Sequence, residues 1–132
     1  MRALVLLLCA LILTSCDRDS PVSPSPINQE LTLAPGQTAD IQGADLSVKF
    51  TGVTGDSRCP ADALCITGGN ATVRLEVSAG SGTRRDVAFE TGNLQPVTAG
   101  TVTMELLQLA PYPFSIGPIQ PQDYRATIRV KR

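Results

Sequence analysis

From Glu30 to Arg132, apolar and polar residues alternate in short runs with a period of two. Such alternation places successive side chains on opposite faces of a strand, so it predicts half-buried β-strands. No stretch after Cys16 has a convincing helical period. The residues predicted to face the core are Leu31 and Leu33; Leu46, Val48 and Phe50; Val73, Leu75 and Val77; Val87 and Phe89; Val102, Met104 and Leu106; and Tyr124, Ala126, Ile128 and Val130.

Glycine and proline mark the turns between these runs. Pro35-Gly36 leads into a strand over 37–41, and residues 79–82 predict a hairpin with arms 70–78 and 83–90. Leu107 has the opposite parity to Leu106, which predicts a bulge near 106–107 or a strand buried on both faces. Seven or eight short strands predict an all-β fold. We expect an antiparallel β-sandwich, immunoglobulin-like or similar, with a small barrel as the alternative.

The N-terminus has a different pattern, an apolar run of eleven residues over 3–13. This is too short for a membrane-spanning helix, which needs about 20 residues, and it is typical of a signal peptide. The run ends in Leu13-Thr14-Ser15-Cys16, which resembles the lipobox of bacterial lipoproteins. The resemblance implies cleavage after residue 15 and lipidation of Cys16. Residues 1–15 are therefore predicted to be a lipoprotein signal peptide.

Residues 17–29 contain charges, serines and three prolines, with almost nothing to bury. We predict that 16–29 is the lipidated cysteine with an extended tether, which would hold the domain over 30–132 roughly 30–40 Å from a bilayer. The predicted location is the bacterial cell envelope, at the periplasmic face of the inner or outer membrane or at the cell surface.

Charge and cysteine content narrow the possible functions. Residues 1–15 hold one Arg and no acid, so the predicted mature chain has ten Lys+Arg and twelve Asp+Glu. This balance is not that of a nucleic-acid-binding surface. Cys9 lies in the predicted signal peptide and Cys16 is predicted to carry lipid, which leaves Cys59 and Cys65. In an oxidising compartment such a pair normally forms a disulfide.

Two other uses of Cys59 and Cys65 fit the sequence less well. Zinc binding would need two more ligands, which carboxylates would have to supply because the chain has no histidine. A catalytic dithiol usually has two residues between its cysteines, whereas five separate this pair. We predict a structural disulfide, no cofactor and no metal site; the regular ligand spacing of a calcium loop is also missing around Asp56 and Asp62.

A second resemblance lies in the loop that carries this pair. Asp56-Ser57-Arg58-Cys59-Pro60, then Cys65 and a nearby glycine before an alternating strand, resembles a pattern in small uncharacterised bacterial lipoproteins. The run over 109–113 ahead of the terminal strand is similar to that group as well. Many members have a Cys-Val-Trp-x-Gly run, where this chain has Ile66-Thr67-Gly68-Gly69. The resemblance implies a disulfide-bearing β-domain and no established activity.

Three polar residues of this loop are candidates for recognition: Asp56, Arg58 and Asp62. Binding residues are often displayed on loops that a rigid scaffold holds. In the structural alternative, Arg58 pairs with a nearby carboxylate and Asp56 caps the turn with a side-chain oxygen. The proline-rich stretch 111–121 offers a similar choice between an exposed docking patch around Tyr112 and a crossover packed over one end of the sandwich.

Catalysis is not expected. Without histidine, a nucleophile–histidine system is excluded, and no pair of acids is singled out by spacing. We predict a lipid-anchored binding module, in contact with the membrane through its lipid and with an envelope protein as possible partner. The alternative is a carrier or sensor with a small molecule or lipid inside a barrel-like domain, in a cavity lined by Phe50, Phe89 and Met104.

Overall fold

A computed structural model describes residues 25–132, so the predicted signal peptide, Cys16 and most of the predicted tether lie outside the described residues. The described chain forms eight strands, β1 Asn28–Leu33, β2 Thr38–Asp40, β3 Leu46–Thr54, β4 Thr72–Ala79, β5 Arg84–Glu90, β6 Val97–Ala99, β7 Val102–Ala110 and β8 Arg125–Lys131, with a 3-10 turn at Pro121–Asp123. Within 25–132, no helix has the length and apolar composition required to cross a membrane.

The strands form two antiparallel four-stranded sheets, in the orders β1-β8-β7-β6 and β2-β3-β4-β5. The predicted antiparallel β-sandwich is confirmed, and the sheets do not close into the small barrel considered as an alternative. The strand order also differs from that of an immunoglobulin domain, in which the first, second, fifth and fourth strands share a sheet. The fold is therefore a sandwich with its own strand order.

The domain begins earlier than composition indicated. β1 starts at Asn28 and runs antiparallel to β8 at every position from Asn28↔Lys131 to Leu33↔Ala126. Ile27 is only 6 % exposed and belongs to the core, with backbone hydrogen bonds to Arg132. β1 therefore begins two residues before the predicted boundary at Glu30, and the single apolar residue behind Pro26 belongs to the core.

The core lies between the sheets and consists largely of the residues selected by alternation. All of the predicted inward-facing residues are buried except Leu31 and Leu46, which are half-buried against the core. Phe50, Phe89 and Met104 are 0 %, 2 % and 0 % exposed. These three side chains are thus packing residues at the centre of the sandwich.

Two bulges interrupt the ladders. The register of β7 against β8 shifts between Leu106 and Gln108, which confirms the predicted bulge and makes Leu107 the extra residue. A second shift, between Phe50 and Gly52 in β3, was not predicted. Gly52 has a φ of 146°, a conformation that favours glycine.

The two ends of the sandwich differ in character. The long connections 55–71, 91–96 and 111–124 all lie at one end, which we call the loop end. The short connections 41–45, 80–83 and 100–101 form the opposite end, which we call the turn end. Because Asn28 pairs with Lys131 whereas Arg125 pairs with Ala110, the N-terminal segment enters the domain at the turn end.

Candidate functional site

The connection 55–71 folds back on itself at the loop end. The Ser57 backbone N–H donates to the carbonyl of Asn70 at 2.8 Å, and the Asn70 N–H donates to Oγ of Ser57 at 3.2 Å. This close approach requires glycine at position 69, because a Cβ there would overlap the backbone carbonyl of Ser57. The stretch between Ser57 and Asn70 is thereby held as a protruding loop.

Within that loop, Cys59 and Cys65 form the predicted disulfide, with Cα atoms 6.0 Å apart. The bridge closes a short ring around Pro60–Leu64. One side of the ring is attached to the neighbouring connection 111–124, since the N–H of Ala61 donates to the carbonyl of Pro113 at 2.9 Å. Among residues 25–132, no three His, Cys, Asp or Glu side chains are close enough together to hold a metal ion.

Asp56 and Arg58 form a buried ion pair beneath the loop. The guanidinium donates from Nε to Oδ1 of Asp56 at 2.9 Å and from one terminal nitrogen to Oδ2 at 2.7 Å, which is a bidentate arrangement. The two side chains are only 5 % and 13 % exposed. Oδ1 also accepts the Arg58 backbone N–H at 3.2 Å, so Asp56 caps the turn. These contacts are those of the structural alternative.

Arg58 reaches beyond its partner to the other sheet. It donates to the carbonyl oxygens of Leu109 and Pro111, at 2.9 and 3.1 Å, which lie at the end of β7. Its guanidinium carbon also lies 5.4 Å from the centre of the Tyr112 ring, within the range of a cation–π contact. Because Asp56 follows β3 and Leu109 belongs to β7, this side chain joins the two sheets at the loop end.

Tyr124 completes the cluster by donating its hydroxyl to Oδ2 of Asp56 at 2.8 Å. Burial, together with this hydrogen bond to the carboxylate, raises the pKa of Tyr124 to about 12. Burial alone would raise the pKa of Asp56. The hydrogen bonds from Arg58 and Tyr124 and the charge of Arg58 outweigh burial, so the pKa of Asp56 lies below its ordinary value. The cluster therefore holds one carboxylate and one guanidinium, both charged, at neutral pH.

Asp62, the third candidate, lies apart from this cluster. Its Oδ1 accepts the backbone N–H of Ser115 at 2.8 Å and the Ser115 hydroxyl at 3.0 Å. These hydrogen bonds, the backbone one first, lower the pKa of Asp62 even though its carboxyl is exposed. Of the three predicted recognition residues, the structure brings Asp56 and Arg58 together beneath the surface and leaves Asp62 accessible.

Apolar side chains form the accessible part of the loop end. All six large hydrophobic residues that are exposed within 25–132 lie on its three connections: Leu64, Ile66, Leu94, Tyr112, Phe114 and Ile116. Leu64 and Ile66 are fully exposed on the disulfide loop. The Ala61–Pro113 and Asp62–Ser115 hydrogen bonds keep that loop beside the connection that carries Phe114 and Ile116. We call these six residues the apolar rim.

A cavity of about 170 Å³ opens at the loop end beside the apolar rim. It is lined by Arg58, Thr91, Leu94, Leu106, Leu107, Gln108, Leu109 and Tyr112. A second cavity, of about 220 Å³, lies at the turn end and is lined by residues that include Asp40, Asp45 and Gly80. Phe50, Phe89 and Met104 line neither cavity.

Sequence reasoning selected the polar residues of the loop and missed most of its accessible apolar ones. Leu94 and Ile116 each occur singly among Gly, Pro and polar residues, and Leu64 and Ile66 flank Cys65 in a short run that no strand period continues. The available signal was an apolar residue in a turn-rich connection with no strand to bury it. Comparison of the chain with protein-family models, curated proteins and solved structures finds no match, so function is argued from geometry.

Proposed function

We propose that this protein is a lipid-anchored lipoprotein of the bacterial cell envelope whose β-sandwich acts as a binding module. The loop end is its contact face. The observation that carries the proposal is the location of every exposed large hydrophobic residue of 25–132 at that one end. Scattered exposed apolar residues are normal on a protein surface, whereas their concentration on adjoining loops is typical of an interaction site.

The framework beneath the apolar rim favours binding. The Cys59–Cys65 bridge and the Asp56–Arg58–Tyr124 cluster fix the loops before a partner arrives. A face that is already ordered loses less conformational entropy on association, which leaves more of the free energy of burial as affinity. In this proposal Asp56 and Arg58 support the face, and Asp62 lies at its surface.

The position of the predicted tether supports one orientation of the domain relative to the anchoring bilayer. The chain enters at the turn end, and only residues 16–24 separate the predicted lipid from the described domain. These residues span roughly 30 Å when extended. The loop end would then point away from the anchoring bilayer, towards other components of the envelope.

The small-molecule carrier has less support from the structure. Its expected cavity would be lined by Phe50, Phe89 and Met104, and these side chains fill the core instead. The loop-end cavity, at about 170 Å³, is smaller than the 300–1,000 Å³ typical of ligand pockets. We retain the binding module, and the prediction that it has no enzymatic activity, as the proposal.

Crosslinking of the anchored full-length protein in cells, followed by purification and mass spectrometry, tests the proposal. We expect one protein partner in fixed proportion, and its loss when Leu64 and Ile66 are both changed to Ser. Ser81→Asp, an exposed change at the turn end, is the matched control and should keep the partner. The absence of a reproducible partner, or a partner unaffected by the loop-end changes, would contradict the proposal.

A further inference from the structure

One flank of β7 is bare over four of its nine residues. β6 pairs with β7 only at Val102, Thr103 and Met104. From Glu105 to Gln108, β7 has β8 on one side and no strand of residues 25–132 on the other. The end of this flank is closed, because Arg58 already donates to the carbonyls of Leu109 and Pro111.

The loop-end cavity lies along this bare flank. Leu106, which faces the core, and Gln108, which is exposed, both line the cavity. The cavity is thus lined from both faces of β7, as is a groove that runs along a strand edge. Leu94 and Tyr112, both half-exposed members of the apolar rim, are part of its lining. Its volume of about 170 Å³ suits one large apolar side chain rather than a whole small molecule.

The charge of the lining indicates a neutral occupant. Among the described residues, Arg58 is the only charged one in its lining, and the Asp56 carboxylate neutralises that guanidinium through two hydrogen bonds. Thr91, Gln108 and the leucines contribute no charge. A charged side chain in this cavity would lose hydration without gaining a free counter-charge.

We infer that the bare flank of β7 binds an extended segment of a partner protein, which adds a strand there and places a large apolar side chain between Leu94 and Tyr112. An extended backbone supplies the donors and acceptors that a free strand edge needs, and the cavity supplies side-chain selectivity. The chain's own tether does not fit: it enters at the turn end, and Pro21 and Pro24 lack backbone donors. This inference rests on the proposed binding function and specifies the chemistry of the partner.

Selection from a displayed library of short random peptides tests the inference, with the lipidated full-length protein reconstituted in phosphatidylcholine vesicles. We expect enriched peptides to share a period-two pattern around one large apolar residue. Amide hydrogen exchange within residues 105–108 should slow when such a peptide binds. Leu94→Trp, which adds a bulky side chain to the lining of the cavity, should weaken peptide binding about tenfold or more.

Leu64→Trp is the matched control, because Leu64 is exposed at the same end but does not line the cavity. It should leave peptide affinity unchanged. Equal binding of the peptides to wild type and Leu94→Trp, or failure to enrich any peptide, would overturn the inference while leaving the cellular crosslinking result to decide the proposed function. A cellular partner that is lost with Leu94→Trp as well as with the Leu64 and Ile66 changes would support the inference.

Discussion

At the scale of single residues, Arg58 connects more of the molecule than any other polar side chain described here. Its four side-chain hydrogen bonds reach Asp56, Leu109 and Pro111, and the Asp56 carboxylate in turn accepts the Tyr124 hydroxyl. Removing one member of a buried ion pair leaves the other charge without compensation, which is more damaging than losing an exposed pair.

Arg58→Leu should therefore lower the free energy of unfolding by about 3–5 kcal/mol. Denaturant unfolding of the purified protein measures the change. Arg129→Leu is the matched control, because its pairs with Glu30 and Glu105 are 3.4 and 4.0 Å long and its side chain is 36 % exposed, and we expect an effect of about 1 kcal/mol or less. Similar effects of the two substitutions would show that the Asp56–Arg58 pair contributes little to stability.

Tyr124 should make the protein sensitive to alkali. Its pKa is about 12 in the fold against an ordinary value of 10.0, so the stability that comes from the neutral phenol is complete below pH 10 and is lost between pH 10 and 12. The shift corresponds to about 2–3 kcal/mol. Asp56 gives the opposite dependence: its lowered pKa contributes stability above its ordinary value of 3.8, and this contribution is lost as the pH falls.

Tyr124→Phe removes the buried phenol and should flatten the stability profile between pH 10 and 12, measured by unfolding at a series of pH values. Tyr112→Phe is the control, because it removes a different hydroxyl and leaves the buried hydroxyl of Tyr124 in place. A wild-type profile identical to that of Tyr124→Phe would rule out this role of Tyr124.

At the scale of elements, the two bulges bend β3 and β7, the strands that lead towards the loop end. The bulge at Thr51 lies in the strand that precedes Asp56, and the bulge at Leu107 lies just before Leu109. Bulges bend a strand and increase its local twist. Both strands thus change direction shortly before the residues that Arg58 joins.

Gly52→Ala should destabilise the fold by about 1–3 kcal/mol, because alanine rarely adopts a φ of 146°. No atom lies within 4 Å of the added Cβ, so backbone strain is the whole expected effect. Gly68→Ala also meets no atom within 4 Å and has no such φ, which makes it the control. Thermal unfolding of both variants gives the comparison, and equal melting temperatures would contradict the expectation.

The disulfide belongs to the same scale, since it closes one connection. Changing both Cys59 and Cys65 to Ser should lower stability by about 2 kcal/mol in the loop-entropy model. Reducing agent should lower the melting temperature of the wild type and leave that of the double variant unchanged. An unchanged wild-type melting temperature on reduction would contradict a stabilising disulfide.

Strands and the disulfide were predictable because their signals are local. Alternation found the core of β3, β4, β5, β7 and β8, and the parity change at Leu107 located a bulge. The bulge at Thr51, between Phe50 and Gly52, was missed, although Gly52 interrupts the strand and Val53 has the opposite parity to Phe50. The long-range contacts of the cluster at the loop end could not be predicted from the sequence. Arg58 contacts Leu109 and Pro111 across 51 and 53 positions, and Asp56 contacts Tyr124 across 68. Such contacts depend on how the two sheets pack.

At the scale of the whole molecule, the proposal joins a predicted anchor at the turn end to a contact face at the loop end. Two or more acyl chains are needed for lasting attachment, since a single chain binds a bilayer only marginally. The proposed anchor and the proposed contact face involve different residues, so a substitution can remove one and leave the other intact.

Cys16→Ser should release the protein from membranes, as measured by fractionation of cells. Cys9→Ser, within the predicted signal peptide, is the control and should leave the protein membrane-bound. Persistence of Cys16→Ser in the membrane fraction would show that lipidation of Cys16 is not the anchor.

The pairing of β1 with β8 has a mechanical consequence in this arrangement. If the lipid holds one end and a partner holds the other, tension enters through Asn28 and runs parallel to β1. The hydrogen bonds of an antiparallel pair are perpendicular to the strands, so this force shears the ladder from Asn28↔Lys131 to Leu33↔Ala126 as a whole rather than opening it pair by pair. Under such tension, β1 is thus oriented to resist being pulled out of the sheet.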